Sequence, residues 1–343
     1  MIRQYARRVD VIRSGATLTE LKPIGDPYID ANAETDIKMS MSGTFAYNDL
    51  VDYLNDELKP YQIIDGVEYP VGVFQIGTYS DHYDSNGVHT IQIEAYDRAL
   101  RLQQTKTETI LHLSAGTNYM QAIESLLVEA GISLYFKTDT VEAMTTDRED
   151  WDIGTDYLTI INALLAEINY GSIWFNQDGY AVLQPIKKPS AANIDHEYGG
   201  EEFSILKPEA SKETDIFDKP NVFIVICENP DLDAPLISIA VNDNPLSALS
   251  TFKRGRRIAE VYKVNNIASQ EALDEYAQRL CSDSMLSSEI IEISTANMPG
   301  HGIYDTVALT HPNLEGIFQE TAWSLILAAG QTMTHTLRRS ILI

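Results

Sequence analysis

Two neighbouring stretches decide the interpretation of this chain: NYMQAIESLLVEAGISLYF at positions 118–136 and TDYLTIINALLAEINYGSIWFNQDGYAVL at positions 155–183. In each stretch apolar residues recur at helical spacing, and a short apolar run typical of a strand follows. Asn118 and Thr155 have the side chains expected of helix N-caps. A glycine follows each helical pattern, as is common at helix ends. The two stretches therefore predict the same order twice, a helix followed by a strand.

Hairpin signals extend this pattern in both directions. Asp178-Gly179 predicts a turn inside the second stretch, and Asp65-Gly66 and Asn86-Gly87 predict turns between alternating apolar and polar runs before it. Residues 49–58 carry apolar positions at helical spacing and predict a short helix. We also expect a short strand over residues 132–136.

Strand patterns return after the middle of the chain. Residues 222–227 form a nearly continuous apolar run, which predicts a strand that is covered on both faces. Residues 269–286 predict a helix that begins at the cap Ser269. Further strand patterns run from about residue 290 to the carboxyl end, where residues 340–343 read as the end of a strand.

The chain therefore predicts an α+β fold that is mainly β. We divide it into a first β domain at residues 1–105, a small α+β module at residues 106–190 and a second β domain at residues 191–343, with the helix near 269–286 inserted in the last. Antiparallel sheets that close, or nearly close, into barrels leave few strand edges bare. We expect that arrangement for the two outer domains.

The net charge restricts the possible partners. The chain has 50 acidic and 25 basic residues, for a formal charge of −25. A chain this acidic repels nucleic acid and anionic membranes. The excess of acidic residues either keeps the protein soluble or provides a surface that a polyanion passes without binding. Composition alone favours solubility.

The cysteines and the amino end place the chain in a reducing compartment. Cys227 and Cys281 show no metal or disulfide spacing, so we expect buried, reduced thiols. The first ten residues lack the apolar core of a signal peptide. No apolar run is long enough to span a bilayer. We expect synthesis in a cytoplasm and no membrane partner.

The sequence contains no recognisable catalytic motif, and we expect no enzyme, no cofactor and no metal. His82 and His89 flank a predicted turn and could meet as metal ligands, but surface positions on paired strands are the better interpretation. Asp81 and Asp84 have only a weak likeness to a calcium loop, because the closing glutamate is missing. Acidic pairs such as Glu201-Glu202 are expected by chance in so acidic a chain.

One basic cluster departs from the acidic composition: Lys253, Arg254, Arg256 and Arg257 surround Gly255. Such a cluster in an acidic chain predicts either a contact with an acidic patch of a neighbouring subunit or a solvated loop. Near the carboxyl end, Arg338 and Arg339 are candidates for the same role.

Several short phrases, taken in order, resemble the tail-hub (baseplate hub) proteins of long-tailed phages and prophages. The resemblance spans essentially the whole chain, and its specificity lies in the order of the phrases rather than in any one of them. The phrases are PVGVFQIG at 70–77, EAYDRAL at 94–100, AGTNY at 115–119, INYGSIWF at 168–175, DKPN at 218–221, NDNP at 242–245, RGR at 254–256, TAWS at 321–324 and HTLRR at 335–339.

The resemblance implies a virion protein of the tail tip, assembled in the cytoplasm of the bacterial host. It implies a homotrimer in which each subunit supplies two β-barrel domains, so that six barrels match a hexameric tail tube. The implied partners are the tail tube or distal tail protein and a tail-tip spike or fibre. DNA would pass through the lumen without specific binding, which gives the acidic composition a second purpose.

Two other functions stay open from the sequence. One is a tail-associated cell-wall hydrolase that uses acidic residues. The other is a tail-tip receptor that binds carbohydrate through aromatic side chains on a β scaffold. Relatives that resemble this chain often continue into a carboxyl-terminal enzyme or fibre region, so the chain reads as a stand-alone hub or as the hub part of a longer product.

Overall fold

The computed structural model describes residues 4–148, 150–187, 189–199, 205–214, 219–228, 234–267, 269–286 and 289–339. The fold is α+β and mainly β, as the sequence predicts. Within these residues, fourteen strands form one large sheet, and two smaller sheets of three strands each stand apart from it. Residues 340–343, expected to end a strand, and the pair Glu201-Glu202 lie outside the described residues.

The first part of the large sheet is a series of antiparallel neighbours. Strands β4, β8, β7, β5, β1 and β2 are adjacent in that order, and β7 and β8 form a long hairpin. Its core is a cluster of fully buried side chains that includes Phe45 and Phe74. The strands are β1 (Tyr5–Arg13), β2 (Ala16–Glu20), β3 (Tyr28–Asn32), β4 (Met39–Ala46), β5 (Glu57–Ile64), β6 (Val67–Pro70), β7 (Phe74–Tyr83) and β8 (His89–Asp97).

The helix predicted over residues 49–58 is wrong. Turns occupy this segment, and strand β5 begins at Glu57. The Asp52 carboxylate accepts the backbone N–H of Leu54, and the Asp56 carboxylate accepts the backbone N–H of Asp52. These side-chain acceptors replace the carbonyls of a helix and favour turns. Leu50 and Leu54, placed on an apolar helix face by the spacing, are exposed.

The middle module forms as its periodicity predicts. Helix α1 (Ala99–Gln104) leads into α2 (Tyr119–Glu129), β9 (Tyr135–Lys137), α3 (Tyr157–Glu167), β10 (Trp174–Phe175) and β11 (Ala181–Leu183). Asn118 caps α2 as expected, but the cap of α3 is Asp156 rather than Thr155, because its carboxylate accepts the N–H of Thr159 at 2.8 Å. The predicted strand at 132–136 starts later, at Tyr135.

The remaining strands of the large sheet come from the last part of the chain. Strand β19 pairs with β3, so the first and last β regions share one sheet. A separate apolar cluster, which includes Phe318 and Leu337, forms the core beneath these strands. They are β12 (His196–Tyr198), β13 (Leu206–Thr214), β17 (Glu289–Ala296), β18 (Thr306–His311), β19 (Leu314–Ile326) and β20 (Thr332–Arg339).

A second α+β unit, which the sequence analysis did not separate from the last β region, lies between β13 and β17. Strands β14 (Val222–Cys227), β15 (Leu236–Val241) and β16 (Ala259–Val264) form a sheet in the order β15, β14, β16. Helices α4 (Thr251–Arg254) and α5 (Gln270–Leu286) belong to the same unit. Ser269 caps α5 as predicted, and Cys227 and Cys281 are buried in the cluster between α5 and the sheet.

One arginine ties the middle module to the first β region. Arg98 forms a two-pronged ion pair with Glu57, at 2.8 and 2.6 Å, and donates to the carbonyl of Gly179 at 2.8 Å. Gly179 has φ +79°, and a Cβ there would lie 2.9 Å from Val73. The predicted hairpin turn therefore needs glycine both for its conformation and for its contact with the neighbouring strand.

Candidate interaction surfaces and a buried histidine cluster

The basic cluster forms a short helix and turn that connects β15 to β16. Ser250 caps α4 by accepting the N–H of Lys253 at 3.1 Å, and Gly255 ends it in the left-handed conformation at φ +64°. The two following positions, Arg256 and Arg257, lead to β16. The local sequence therefore gathers four cations within five residues on a tight turn.

A buried asparagine holds this turn in place. The Asn221 side chain is fully buried and donates to the carbonyls of Leu249 and Arg256 at 3.2 and 3.0 Å. Its oxygen accepts the N–H of Ile258 at 2.7 Å. Three hydrogen bonds from one buried amide fix both ends of the basic segment relative to β14.

Three of the four cations in this segment are free to meet a partner. Lys253, Arg256 and Arg257 are exposed, whereas Arg254 is partly buried and donates to the carbonyl of Lys219 at 2.9 Å. Within the described part of the chain, no carboxylate forms an ion pair with any of the four. Arg254 therefore supports the turn, and the other three present their charges to solvent.

Arg338 lies elsewhere, on β20 of the large sheet. It pairs with Glu34, and burial lowers the pKa of its guanidinium. It also lines a cleft of about 770 Å³ between the middle module and the last β region, with Trp174, Tyr304 and Arg279. The pairing with Glu34 gives Arg338 a partner within the chain. The side chain of Arg339 lies outside the described residues.

Glu320, His301 and His335 form a cluster of buried polar side chains on and next to β19 and β20. Glu320 accepts from Nδ1 of His301 and from Nδ1 of His335, each at 2.5 Å, and all three residues are buried. On the far side, Nε2 of His301 lies 2.5 Å from the Tyr198 hydroxyl. Nε2 of His335 lies 2.8 Å from the Thr295 hydroxyl.

These contacts settle the protonation of the cluster. Although burial raises the pKa of Glu320, His301 and His335 outweigh it and lower the value to about 2, so the group is a carboxylate at neutral pH. Burial lowers the pKa of His301. His301 is therefore neutral, with Nδ1–H donating to Glu320 and Nε2 accepting the Tyr198 hydroxyl. Each buried polar atom has a partner.

The same side chains are spaced for a cation, but their hydrogen bonds argue for a structural role. Donor atoms of His301, Glu320 and His335 lie within 4.8 Å of one another, as do those of His196, His301 and Asp305. His196 stacks on His301 and contacts Asp305 at 3.1 Å, so the second group is also internally paired. Sequence reasoning missed this cluster because its members are far apart in the chain and match no ligand spacing.

His82 and His89 lie on paired strands of the β7–β8 hairpin, opposite Thr90 and Tyr83 respectively. The His89 ring is sandwiched between Tyr47 and Tyr83, with centroids 3.9 and 4.2 Å away. His89 also contacts the Asp81 carboxylate at 2.7 Å. The placement of His82 and His89 on neighbouring strands agrees with the prediction that they lie on paired strands.

Comparison with solved structures identifies the fold. The chain superposes on a tail protein from Neisseria meningitidis with a TM-score of 0.70 and 13% identity, covering 97% of this chain and 96% of the other. A 43 kDa tail protein of prophage MuSo2 from Shewanella oneidensis gives 0.66 and 13%, with coverage of 97% and 98%. The fold is that of phage tail proteins.

A third similar structure, the prophage tail protein gp18 from Listeria monocytogenes, gives a TM-score of 0.59 and 14% identity over 97% of this chain and 94% of that one. No protein-family profile and no curated protein sequence matches the chain. None of the described helices is long and apolar enough to cross a membrane. The resemblance seen in the sequence is therefore confirmed at the level of fold.

Proposed function

We propose that this chain is the structural hub of a phage or prophage tail, a trimeric ring that joins a hexameric tail tube to the tail tip. The observation that carries the proposal is the superposition on the Neisseria tail protein over nearly the full length of both chains. A match of that extent includes the two smaller α+β units as well as the large sheet. The order of the sequence phrases that resemble tail hubs supports the same role.

In this proposal the large sheet supplies two barrel-like halves, one from residues 1–105 and one from residues 191–343. The strand order supports two halves, because β3 and β19 are the pair at which strands of the first region meet strands of the last. Three copies then place six halves around the lumen, which matches the sixfold symmetry of the tube. The two smaller α+β units stand outside the large sheet.

The acidic composition fits a lumen that DNA must pass. Each chain carries a formal charge of −25. A lumen surface of the same sign as DNA repels it and offers it no binding site, so the DNA can pass through. The partners in this role are the tail tube or distal tail protein above the ring and a spike or fibre protein below it. The protein would reside in the virion, after assembly in the host cytoplasm.

The proposed role needs no catalysis and no cofactor. The buried Glu320 cluster is hydrogen-bonded within itself and shielded from solvent, so it serves the fold. A cell-wall hydrolase would clear peptidoglycan in a zymogram, and loss of clearing in a single carboxylate variant would establish that activity instead.

Imaging the purified protein together with the tail tube protein of the same phage or prophage tests the role. The proposal predicts rings with threefold features capping the ends of sixfold tubes. Tubes with bare ends, at a concentration where the protein is in excess, would reject the hub role. Specific binding to host wall glycan without binding to tubes would favour a receptor.

A further inference from the structure

The small sheet of the second α+β unit has one apolar face that none of the described residues covers. Helix α5 packs on the face that carries Phe223 and Val225. On the opposite face Ile237, Ile239 and Val261 are 54%, 57% and 52% exposed. The sequence predicts that β14 is covered on both faces; on this face its side chains Ile224 and Ile226 are half-buried, so the cover is partial. These three exposed β-branched side chains share one face, with Ile224 of β14 between Ile239 and Val261, and mark an interaction surface.

The basic segment connects β15 to β16 at one end of this sheet. Val222, Val241 and Ala259 are paired across the three strands, and the segment from Val241 to Ala259 carries the cations. The same segment exposes Phe252, at 73%. We call the face of Ile237, Ile239 and Val261, together with Lys253, Phe252, Arg256 and Arg257, the apolar–basic surface.

The apolar face is too small to form a specific protein–protein interface by itself. Three strands of six residues span roughly 14 Å by 20 Å at ordinary strand spacing. Two such faces in contact would bury well under the roughly 1,200 Å² of a small specific interface. The occupant must therefore engage the basic segment as well as the apolar face.

A surface of the opposite character lies in the first β region. Tyr53 links Tyr47 and Tyr79, with centroid distances of 5.7 and 5.5 Å, and Tyr47 continues the stack through His89 to Tyr83. Residues 47–58 and 74–97 contain no lysine or arginine.

Acidic groups border this aromatic stack. Asp49, Asp81 and Asp84 are exposed, and Leu50 and Leu54 add exposed apolar area beside them. We call the aromatic stack with Asp49 and Asp81 the tyrosine–aspartate surface.

We propose that the apolar–basic surface of one copy binds the tyrosine–aspartate surface of the next copy. The occupant is this chain itself, because apolar area meets aromatic area and cations meet carboxylates. A twofold contact of the apolar–basic surface with itself would place the cations of two copies against each other, so charge favours a head-to-tail contact. A head-to-tail contact that closes after three copies gives a ring, and in that respect the inference rests on the proposed hub.

Charge reversal tests this contact on the full-length protein. The variant K253E/R256E/R257E removes the cations, and D49K/D81K reverses the other side. The matched control K106E/K187E/K207E changes the charge by the same amount at exposed lysines outside both surfaces. Solution mass over a concentration series measures assembly, and thermal unfolding verifies that each variant is folded.

The contact predicts that each reversal weakens self-association by about tenfold or more, while the control assembles as the wild type does. In the variant that carries both reversals, the basic and acidic sides of the contact are exchanged and again have opposite charges. We therefore expect assembly to recover. I237T/I239T should weaken assembly while leaving the unfolding temperature nearly unchanged.

Two results overturn the proposal. One is assembly that persists in the reversal variants. The other is a wild type that stays monomeric at every concentration. If either result is obtained and rings still form on tail tubes, the hub role stands and only this contact is rejected.

Discussion

The buried Glu320 cluster gives the sharpest prediction about stability. Replacing Glu320 by alanine removes the acceptor for two histidine N–H groups that lie 2.5 Å away and leaves both without a partner. The residues are buried, so water does not replace the lost carboxylate. Each buried donor left without an acceptor costs about 1–3 kcal/mol, or roughly 2–6 kcal/mol for the two together. We expect E320A to lower the free energy of unfolding by that amount.

Glu320→Gln separates hydrogen bonding from charge. The amide oxygen accepts Nδ1–H of His301, and the amide N–H donates to Nδ1 of His335 if that ring changes tautomer. The ring can do so, because the Thr295 hydroxyl then donates to the carbonyl of Ala296 at 2.8 Å and accepts from His335. Only the second amide N–H of the glutamine lacks an acceptor, and we expect E320Q to cost only about 1 kcal/mol.

The pH dependence has a defined sign. The pKa of Glu320 is about 2 in the folded chain, below its usual 4.5. A depressed carboxyl pKa stabilises the fold above pH 4.5, and this stabilisation is lost as the pH falls towards 2. A shift of that size corresponds to something on the order of 3 kcal/mol. E320Q lacks this group, so the wild type should lose its advantage of about 1 kcal/mol over E320Q as the pH falls, and E320Q should become the more stable of the two.

Urea unfolding of the wild type, E320A and E320Q at pH 7 and at several acidic values measures all three effects. The reasoning is refuted if E320A and E320Q cost the same, because hydrogen bonding would then not distinguish them. It is also refuted if E320A costs less than about 1 kcal/mol, the value of a neutral hydrogen bond.

Three further predictions concern the other parts of the molecule. Leu164→Ala removes a fully buried side chain from α3 and should cost about 2–5 kcal/mol in urea unfolding; a change near zero would contradict its place in the core. Asn221→Ala removes three hydrogen bonds and should cost about 2–4 kcal/mol and increase amide exchange at Ile258, whereas unchanged exchange there would show that the amide does not hold the basic turn. Gly179→Ala should destabilise the hairpin, because the new methyl group would lie 2.9 Å from Val73; a stable variant would show that Val73 can move.

The parts of the fold that local patterns specify were predictable. The α2 and α3 helices follow from apolar spacing and caps, and the hairpin at Gly179 follows from its dipeptide. The error at residues 49–58 has a local cause as well. Asp52 and Asp56 compete for backbone N–H groups, and that competition does not show in the apolar spacing.

The parts that depend on pairing between distant strands were not predictable. The sequence of β14 fits a buried strand of the large sheet as well as one of the small sheet. Its parallel pairing with β16 places it in the second α+β unit rather than in the last β region. Parallel pairing has no turn signature in the sequence. The Glu320 cluster likewise depends on the register between β19 and β20. The sequence shows the basic cluster as a run of charged residues, but it does not indicate the exposed apolar face of the small sheet.

The mass of the protein in solution, measured by light scattering across a concentration series at two salt concentrations, tests the central claim most directly. The hub account predicts a species of three times the 38.3 kDa chain mass, weakened by salt because the proposed contact includes ion pairs. A monodisperse monomer at every concentration, both alone and with the tail tube protein present, would contradict it.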